Sequence, residues 1–167
     1  LKPSQNQVAE MLFRTVALEA TGAGRTDSAR AVVERQIAAW GVSVPNEAVV
    51  RDGSGLARYD YVSPRTLVRI LDAMRKSPSF SAFYDALPIA TVDGTLAGRM
   101  KGTPAENNVH AKTGSRAQAR SRSGYVMTAD LHMLIVRGRA NNSTTSVLAV
   151  EQVKDAIAAR LAAMQLR

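Results

Sequence analysis

Three short segments in a row, 109–115, 121–128 and 131–136, constrain the fold of this chain more than any other feature. Each carries the alternation of a strand, and only short turns separate them, so an antiparallel meander is the natural arrangement. Such a sheet has to cover one face. Behind Asn141-Asn142-Ser143, the residues Val150, Val153, Ile157, Leu161 and Met164 recur at helical spacing and predict a final helix across the sheet.

Upstream the period is helical. Pro3 and Ser4 read as a helix start, with Ser4 or Asn6 as the cap, and Val8, Met11, Leu12, Thr15 and Val16 as the buried face. The Thr21-Gly22-Ala23-Gly24 run stops that helix. A second begins at Thr26 or Asp27, turns Ala29, Val32, Val33 and Ile37 inward, and ends at Trp40-Gly41. Residues 42–50, broken by Pro45, read as a loop or short edge strand. Ser63-Pro64 opens a helix that buries Leu67, Ile70, Leu71 and Met74, and Ser77-Pro78 ends it. Phe80, Phe83 and Tyr84 form a short aromatic helix, and residues 90–108 are loop-rich with one helical turn near 95–100. The expectation is α+β in one unit, 1–167. A helical region comes first, then an antiparallel meander packed by a C-terminal helix. Three strands are few for this much helix, which suggests that further strands lie upstream.

Composition narrows the function classes. With no cysteine, a disulfide framework and a thiolate metal site are excluded, and His110 and His132 lack metal-ligand spacing, so no metal or cofactor is expected. No stretch has the apolar length needed to span a bilayer. The net charge of +8 suits an anionic partner such as nucleic acid, a cell-wall polymer or a membrane surface. With 5% aromatics and no nucleic-acid-binding motif, nucleic acid is not the expected partner. The basic residues are spread along the chain, with a local cluster at Arg116, Arg120 and Arg122, and most of them read as a solvated surface. Leu1-Lys2-Pro3-Ser4 neither begins with Met nor has a signal-peptide pattern, and reads as internal to a longer polypeptide.

Two stretches carry chemistry. In His110-Ala111-Lys112-Thr113-Gly114-Ser115, strand alternation sends Lys112 and Gly114 to one face and the hydroxyls of Thr113 and Ser115 to the other. Gly114 leaves room for a close approach. Such a strand suits an anionic, peptide-like ligand beside a proton-handling lysine. In Ser4-Gln5-Asn6, a hydroxyl and an amide lie two residues apart at a helix mouth, where the serine can relay a proton and the amide can donate to a carbonyl. Taken singly, each is matched by a strand end or a helix cap. A rival nucleophile is Ser54 in Asp52-Gly53-Ser54-Gly55-Leu56, but the full hydrolase-elbow spacing is absent and a structural turn is expected.

Read in order, these motifs are more specific. Serine-x-asparagine and lysine-threonine-glycine belong to the signature set of β-lactamases and penicillin-binding proteins. Together with the Asp-Gly-Ser-Gly-Leu turn, Ser63-Pro64, Asp93-Gly94-Thr95-Leu96 and Ser123-Gly124-Tyr125-Val126, they make the chain resemble the C-terminal part of low-molecular-mass penicillin-binding proteins. The family is that of D-alanyl-D-alanine carboxypeptidases/endopeptidases, and the resemblance runs from about Pro3 to the last helix. It implies a partial β-lactamase/transpeptidase-like fold and a serine acyl-enzyme acting on peptidoglycan peptides ending in D-Ala-D-Ala, inhibited by β-lactams. It also implies an extracytoplasmic location.

By position, the resemblance implies that Ser4 and Lys112 shuttle a proton and that Asn6 holds the substrate amide. Thr113, Gly114 and Ser115 would form the carboxylate-binding strand, with the Ser115 N–H as half of an oxyanion hole. The family's nucleophile lies in serine-x-x-lysine, and no serine here has a lysine three residues later. The chain is therefore expected to be the C-terminal half of a split site, inactive alone, with an N-terminal half supplying the nucleophile. The alternative is a basic, non-catalytic binding module. Three departures from the family stand out: Arg116-Ala117-Gln118-Ala119-Arg120 has no glycine, Arg122 replaces an apolar strand residue, and Asp130-Leu131 lacks a turn glycine.

Overall fold

A computed structural model describes residues 1–44, 46–116 and 119–166, so Pro45, Ala117, Gln118 and Arg167 lie outside the described residues. The chain divides into two compact units, one of residues 5–73 and the other of 1–4 with 74 onward.

The first unit packs α1 (Asn6–Thr21) on α2 (Thr26–Ala39) beside a two-stranded antiparallel ribbon, β1 (Ala48–Val49) with β2 (Tyr61–Val62). Gly22, at φ 73°, closes α1 by donating its N–H to Leu18 O at 2.8 Å. The face expected to be buried on α1 is not. Val8, Met11, Leu12 and Val16 are exposed, and the contact is made by Phe13 and Ala17 against Ala29, with Val33 and Val50 alongside. Alanines at 17 and 29 let the two helices approach closely around one phenylalanine, so the narrower stripe wins over the more apolar one. Ile37, Val42 and Ala48 form a second cluster with Trp40, Val62 and Ile70. Helix α3 (Pro64–Arg75) begins as expected, with Ser63 Oγ accepting from Thr66 N at 3.0 Å. Thr66 itself is fully buried, its hydroxyl donating to Glu47 O at 3.2 Å.

The second unit carries α4 (Phe80–Ala86), a 3₁₀ turn at Gly94–Leu96, and the meander β3 (His110–Arg116), β4 (Ala119–Met127) and β5 (Met133–Asn141), covered by α5 (Val147–Ala162). The α+β class and strand order match the sequence reading. β5 starts later than expected and runs on through Arg137–Asn141, where its charged residues mask the strand pattern. Register pairs Ala111 with Gly124, and Val126 with Leu134, on the side where Ala90, Leu96, Met100, Val109, Ala158 and Ala162 pack. Gly124 is required there: a Cβ would lie 2.1 Å from His110 O.

The stripe expected to pack from α5 is also corrected. Val153 and Ile157 are exposed, at 59% and 52%, and the helix faces the sheet with Glu151, Asp155, Ala158 and Ala162, while Leu161 packs against the core as expected. The cause is Arg122. It is not part of a solvated surface, since only 4% of its side chain is exposed. Its guanidinium donates to Asp155 Oδ1 at 2.5 Å and to Lys154 O at 3.2 Å. Arg99 donates to both carboxylate oxygens of Asp155, at 2.8 and 3.0 Å, and to the carboxylate of Glu151, which also accepts from Lys154 at 2.5 Å. A buried charge is tolerated only when paired, and the strand arginine therefore sets which helix face turns inward.

Candidate active site

The strand β3 delivers Lys112 to its site, and the chain's first four residues deliver Ser4. Lys112 Nζ donates to Ser4 Oγ at 2.6 Å and to Thr113 O at 2.6 Å. Ser4 does not cap the helix. Gln5 precedes α1, and no side chain caps its first amides. Instead Ser4 sits at φ 55°, in the left-handed region that non-glycine residues avoid, with its N–H donating to Leu1 O at 3.2 Å. A strained backbone of this kind persists where surrounding contacts over-determine it, and here it presents the hydroxyl to the ammonium. Both ammonium contacts are neutral oxygens. Burial lowers the pKa of Lys112 below the ordinary lysine value, because a desolvated ammonium is disfavoured. Since the lysine donates to Ser4 Oγ, the serine's own O–H is left to donate elsewhere.

Thr113 and Ser115 point away from Lys112, as alternation requires. Thr113 pairs with Arg122 across β4, and Ser115 with Arg120. Thr113 Oγ1 donates to Thr95 Oγ1 at 2.7 Å. Gly114 pairs with Ser121, and a Cβ at 114 would lie 2.5 Å from Ser121 Oγ, so the room this glycine provides is taken up by that hydroxyl. Among the described residues, the one strand that β3 pairs with is β4, along one side. On its other side Ile89 bridges His110, and Ala111 N donates to Pro88 O at 2.9 Å. Asn6, the remaining site residue from the sequence, opens α1 in the other unit.

Three residues of the site escaped the sequence reading. Thr95, on the 3₁₀ turn, holds the Thr113 hydroxyl. Lys2 bonds Asp93, whose other oxygen accepts from Ile89 N at 3.0 Å. That hydrogen bond from Lys2 lowers the pKa of Asp93 below the usual carboxylate range. Together, Lys2 and Asp93 tie the segment bearing Ser4 to the turn bearing Thr95. Glycine at 94 allows this: it sits at φ 57°, and a Cβ would lie 2.8 Å from Lys2 O. The Asp93-Gly94-Thr95 run was the available signal, but its roles depend on contacts across 91 residues of chain.

The rivals fare less well. Ser54 donates to Asp52 Oδ2 at 3.3 Å, within a turn that Asp52 also holds by accepting from Gly55 N and Ala57 N, each at 2.6 Å. Burial pushes the Asp52 carboxyl up, but those amides outweigh it and the pKa falls. Glu10 Oε1 accepts from Gly53 N and Ser54 N at 3.0 and 2.9 Å, and the whole turn reads as structural. His110 stacks on Tyr84, with ring centroids 3.8 Å apart, and its Nδ1 lies 3.3 Å from Tyr84 O. His132 Nδ1 lies 3.2 Å from Asp130 Oδ2.

Comparison with known proteins adds the family. The model of the D-Ala-D-Ala carboxypeptidase 3 (S13) family matches residues 1–164. The chain is 37% identical, over 167 residues, to the D-alanyl-D-alanine carboxypeptidase of Actinomadura sp. (strain R39), with 97% of this chain and 30% of the relative covered. It is 33% identical over 136 residues to D-alanyl-D-alanine carboxypeptidase DacB of Haemophilus influenzae, covering 77% of this chain and 27% of the relative. Among solved structures, penicillin binding protein 4 (dacB) from Haemophilus influenzae, complexed with a β-lactam, superposes with a TM-score of 0.84 at 28% identity. That match covers 94% of this chain and 38% of the other. The chain thus spans less than a third of the length of the curated relatives it matches.

Proposed function

The chain belongs to the D-Ala-D-Ala carboxypeptidase 3 (S13) family, and on that premise we propose that it carries the proton-transfer and carboxylate-binding half of a D-alanyl-D-alanine carboxypeptidase/endopeptidase site. The observation that carries the reading is the Lys112–Ser4 contact of 2.6 Å, made by a desolvated lysine with no carboxylate partner among the described residues.

The reaction proposed is acyl transfer to a serine hydroxyl. That serine gives its proton to the lysine of its serine-x-x-lysine motif and attacks the carbonyl of the penultimate D-alanine of a peptidoglycan peptide; the C–N bond to the terminal D-alanine breaks, and water then hydrolyses the acyl ester. Lys112 passes a proton through the Ser4 hydroxyl to the departing amine, a relay suited to a lysine whose pKa is pulled toward working pH. Asn6 holds the substrate amide, and the Ser115 N–H polarises the carbonyl as its oxygen becomes anionic. Thr113 and Ser115 bind the terminal carboxylate on the strand that Gly114 interrupts. The side of β3 from Lys112 onward that faces away from β4 is where an extended peptide would lie.

No serine of this sequence precedes a lysine by three residues, so the attacking serine comes from outside these 167 residues. β-Lactams, which mimic D-Ala-D-Ala, would acylate the same serine, and the working compartment would be extracytoplasmic. Fluorescent penicillin tests the reading. The full-length protein is expected to be labelled covalently and the 167-residue chain not. Stoichiometric labelling of the 167-residue chain, or no labelling of the full-length protein, would overturn it.

A further inference from the structure

The ion cluster behind β4 has a composition that pairing alone does not explain. Among the described residues, the carboxylates that Arg99, Arg122 and Lys154 meet are Glu151 and Asp155, so the cluster there holds three cations against two carboxylates, one positive charge in excess. The excess is buried: Arg122 is 4% exposed and Lys154 9%. Arg122 Nε is buried with no hydrogen-bond partner among the described residues, so that edge of the guanidinium is uncompensated. This cluster lies beside the strand that reads as the carboxylate site. Arg122 is the cross-strand partner of Thr113, on the same face of the sheet, where opposed Cβ atoms are ~5 Å apart. Arg99 approaches from the segment that carries Thr95, the residue bonded to the Thr113 hydroxyl.

We infer that the Arg99–Arg122–Lys154 cluster, with its unbalanced positive charge, is a specificity device. From beneath the sheet it favours substrates that end in a free carboxylate over their neutral analogues. The inference rests on the proposed reading of Thr113 and Ser115 as the carboxylate-binding pair. It adds long-range charge to a site whose direct contacts are neutral hydroxyls. A buried charge is poorly screened by salt, so its field reaches across the strand with little loss. Arg122 therefore acts as a positioning and specificity residue and does not touch the substrate.

The test uses the full-length protein with a D-Ala-D-Ala peptide acid and the same peptide as its C-terminal amide. Arg122→Met removes the excess charge and is expected to raise KM for the acid about fivefold, with kcat and the amide reaction unmoved. Glu151→Gln adds to the excess and is expected to lower KM for the acid by about the same factor. Arg122→Lys keeps the charge and should keep the preference for the acid. If Arg122→Met does not fold, the opposite-signed Glu151→Gln effect decides alone. Equal shifts for acid and amide, or none for either, in an enzyme that is still acylated by penicillin would overturn the inference alone. A wild-type protein that neither cleaves the acid nor reacts with penicillin would overturn the functional reading and this inference with it.

Discussion

Lys112 and Arg122 sit on neighbouring strands, one residue out of register, and both lose much of their hydration. Their partners differ. Lys112 meets a hydroxyl and a carbonyl, whereas Arg122 meets a carboxylate and shares it with Arg99. Burial lowers both pKa values, but for Arg122 the hydrogen bond it donates to Asp155 opposes the shift, whereas for Lys112 burial acts unopposed among the described residues. The difference separates two uses of a buried cation. Withheld from carboxylates, it becomes a group ready to give up its proton. Given carboxylates, it becomes a fixed charge that orders the elements around it.

The two cations should therefore fail in opposite ways. Lys112→Met in the full-length protein is expected to slow penicillin acylation and peptide cleavage by about 10²–10⁴-fold, the usual range for a lost general acid–base. Its stability should hold or rise, because a poorly solvated ammonium is gone. Acylation within threefold of wild type would break the comparison on the catalytic side. Asp155→Ala should do the reverse. Two guanidiniums lose their shared partner, and stability should fall by about 3–5 kcal/mol, read as a lower urea midpoint. A loss below about 1 kcal/mol would mean that the cluster is a surface ion pair in all but position.

A pH titration sharpens the contrast without removing any group. The folded-state pKa of Lys112 is lowered, so the charged form is the penalised one. Its contribution to stability improves as pH rises from the folded value toward the unfolded, ordinary lysine value. In the acylation profile, the limb assigned to Lys112 should lie below that ordinary value and vanish in Lys112→Met. Glu151 runs the other way. Burial pushes its carboxyl up, yet hydrogen bonds from Lys154 and Arg99 more than offset this and lower the pKa. Its stabilisation is present above the unfolded glutamate value and is lost as pH falls through the folded value. The wild type should therefore lose more stability on the acid side than Glu151→Gln, and equal acid-side losses in the two would contradict that sign.

The same contrast explains what the sequence made legible. Period-2 segments and turn residues specify the meander, because alternation and short loops leave few pairings open. Lys112, Thr113, Ser115 and Ser4 could be singled out because two short motifs, each commonplace alone, stand in the order that the family resemblance carries. Burial was misread on both outer helices for one reason. Much of the packing face is alanine or charged, with Ala17 beside Phe13 on α1, and Glu151, Asp155, Ala158 and Ala162 beside Leu161 on α5, so hydropathy favoured Val8, Met11, Val153 and Ile157 instead. Arg122 looked like a departure from pattern, and no local rule announces that Asp155 answers it 33 residues later. Thr95 was hidden likewise, as one hydroxyl within a turn-rich stretch.

Thr95→Val tests that hidden contact at smaller scale. Removing the acceptor of the Thr113 hydroxyl should cost about 0.5–1.5 kcal/mol of substrate binding, seen as a KM rise of about two- to tenfold with kcat little changed. An equal fall in kcat would place Thr95 in proton transfer and blur the division between the two faces of β3.

The smallest effect expected lies away from both cations, at the turn joining β4 to β5. The Asp130-Leu131 turn has no glycine. Leu131 is held at φ 64° with its side chain 82% exposed, so it bears a left-handed backbone with little packing in return. The turn survives because Thr128 and Asp130 hold it: Thr128 Oγ1 donates to Asp130 Oδ1 at 2.6 Å and accepts from His132 N at 2.9 Å. Leu131→Gly removes a backbone penalty of about 1 kcal/mol and adds freedom to the unfolded chain, so the net gain should be about 0.5 kcal/mol in the urea midpoint. Acylation should not move, because neither cation depends on that turn. A changed acylation rate would mean that the β4–β5 turn sets the register of Lys112 and Arg122 together, and the two cations would then no longer be separable.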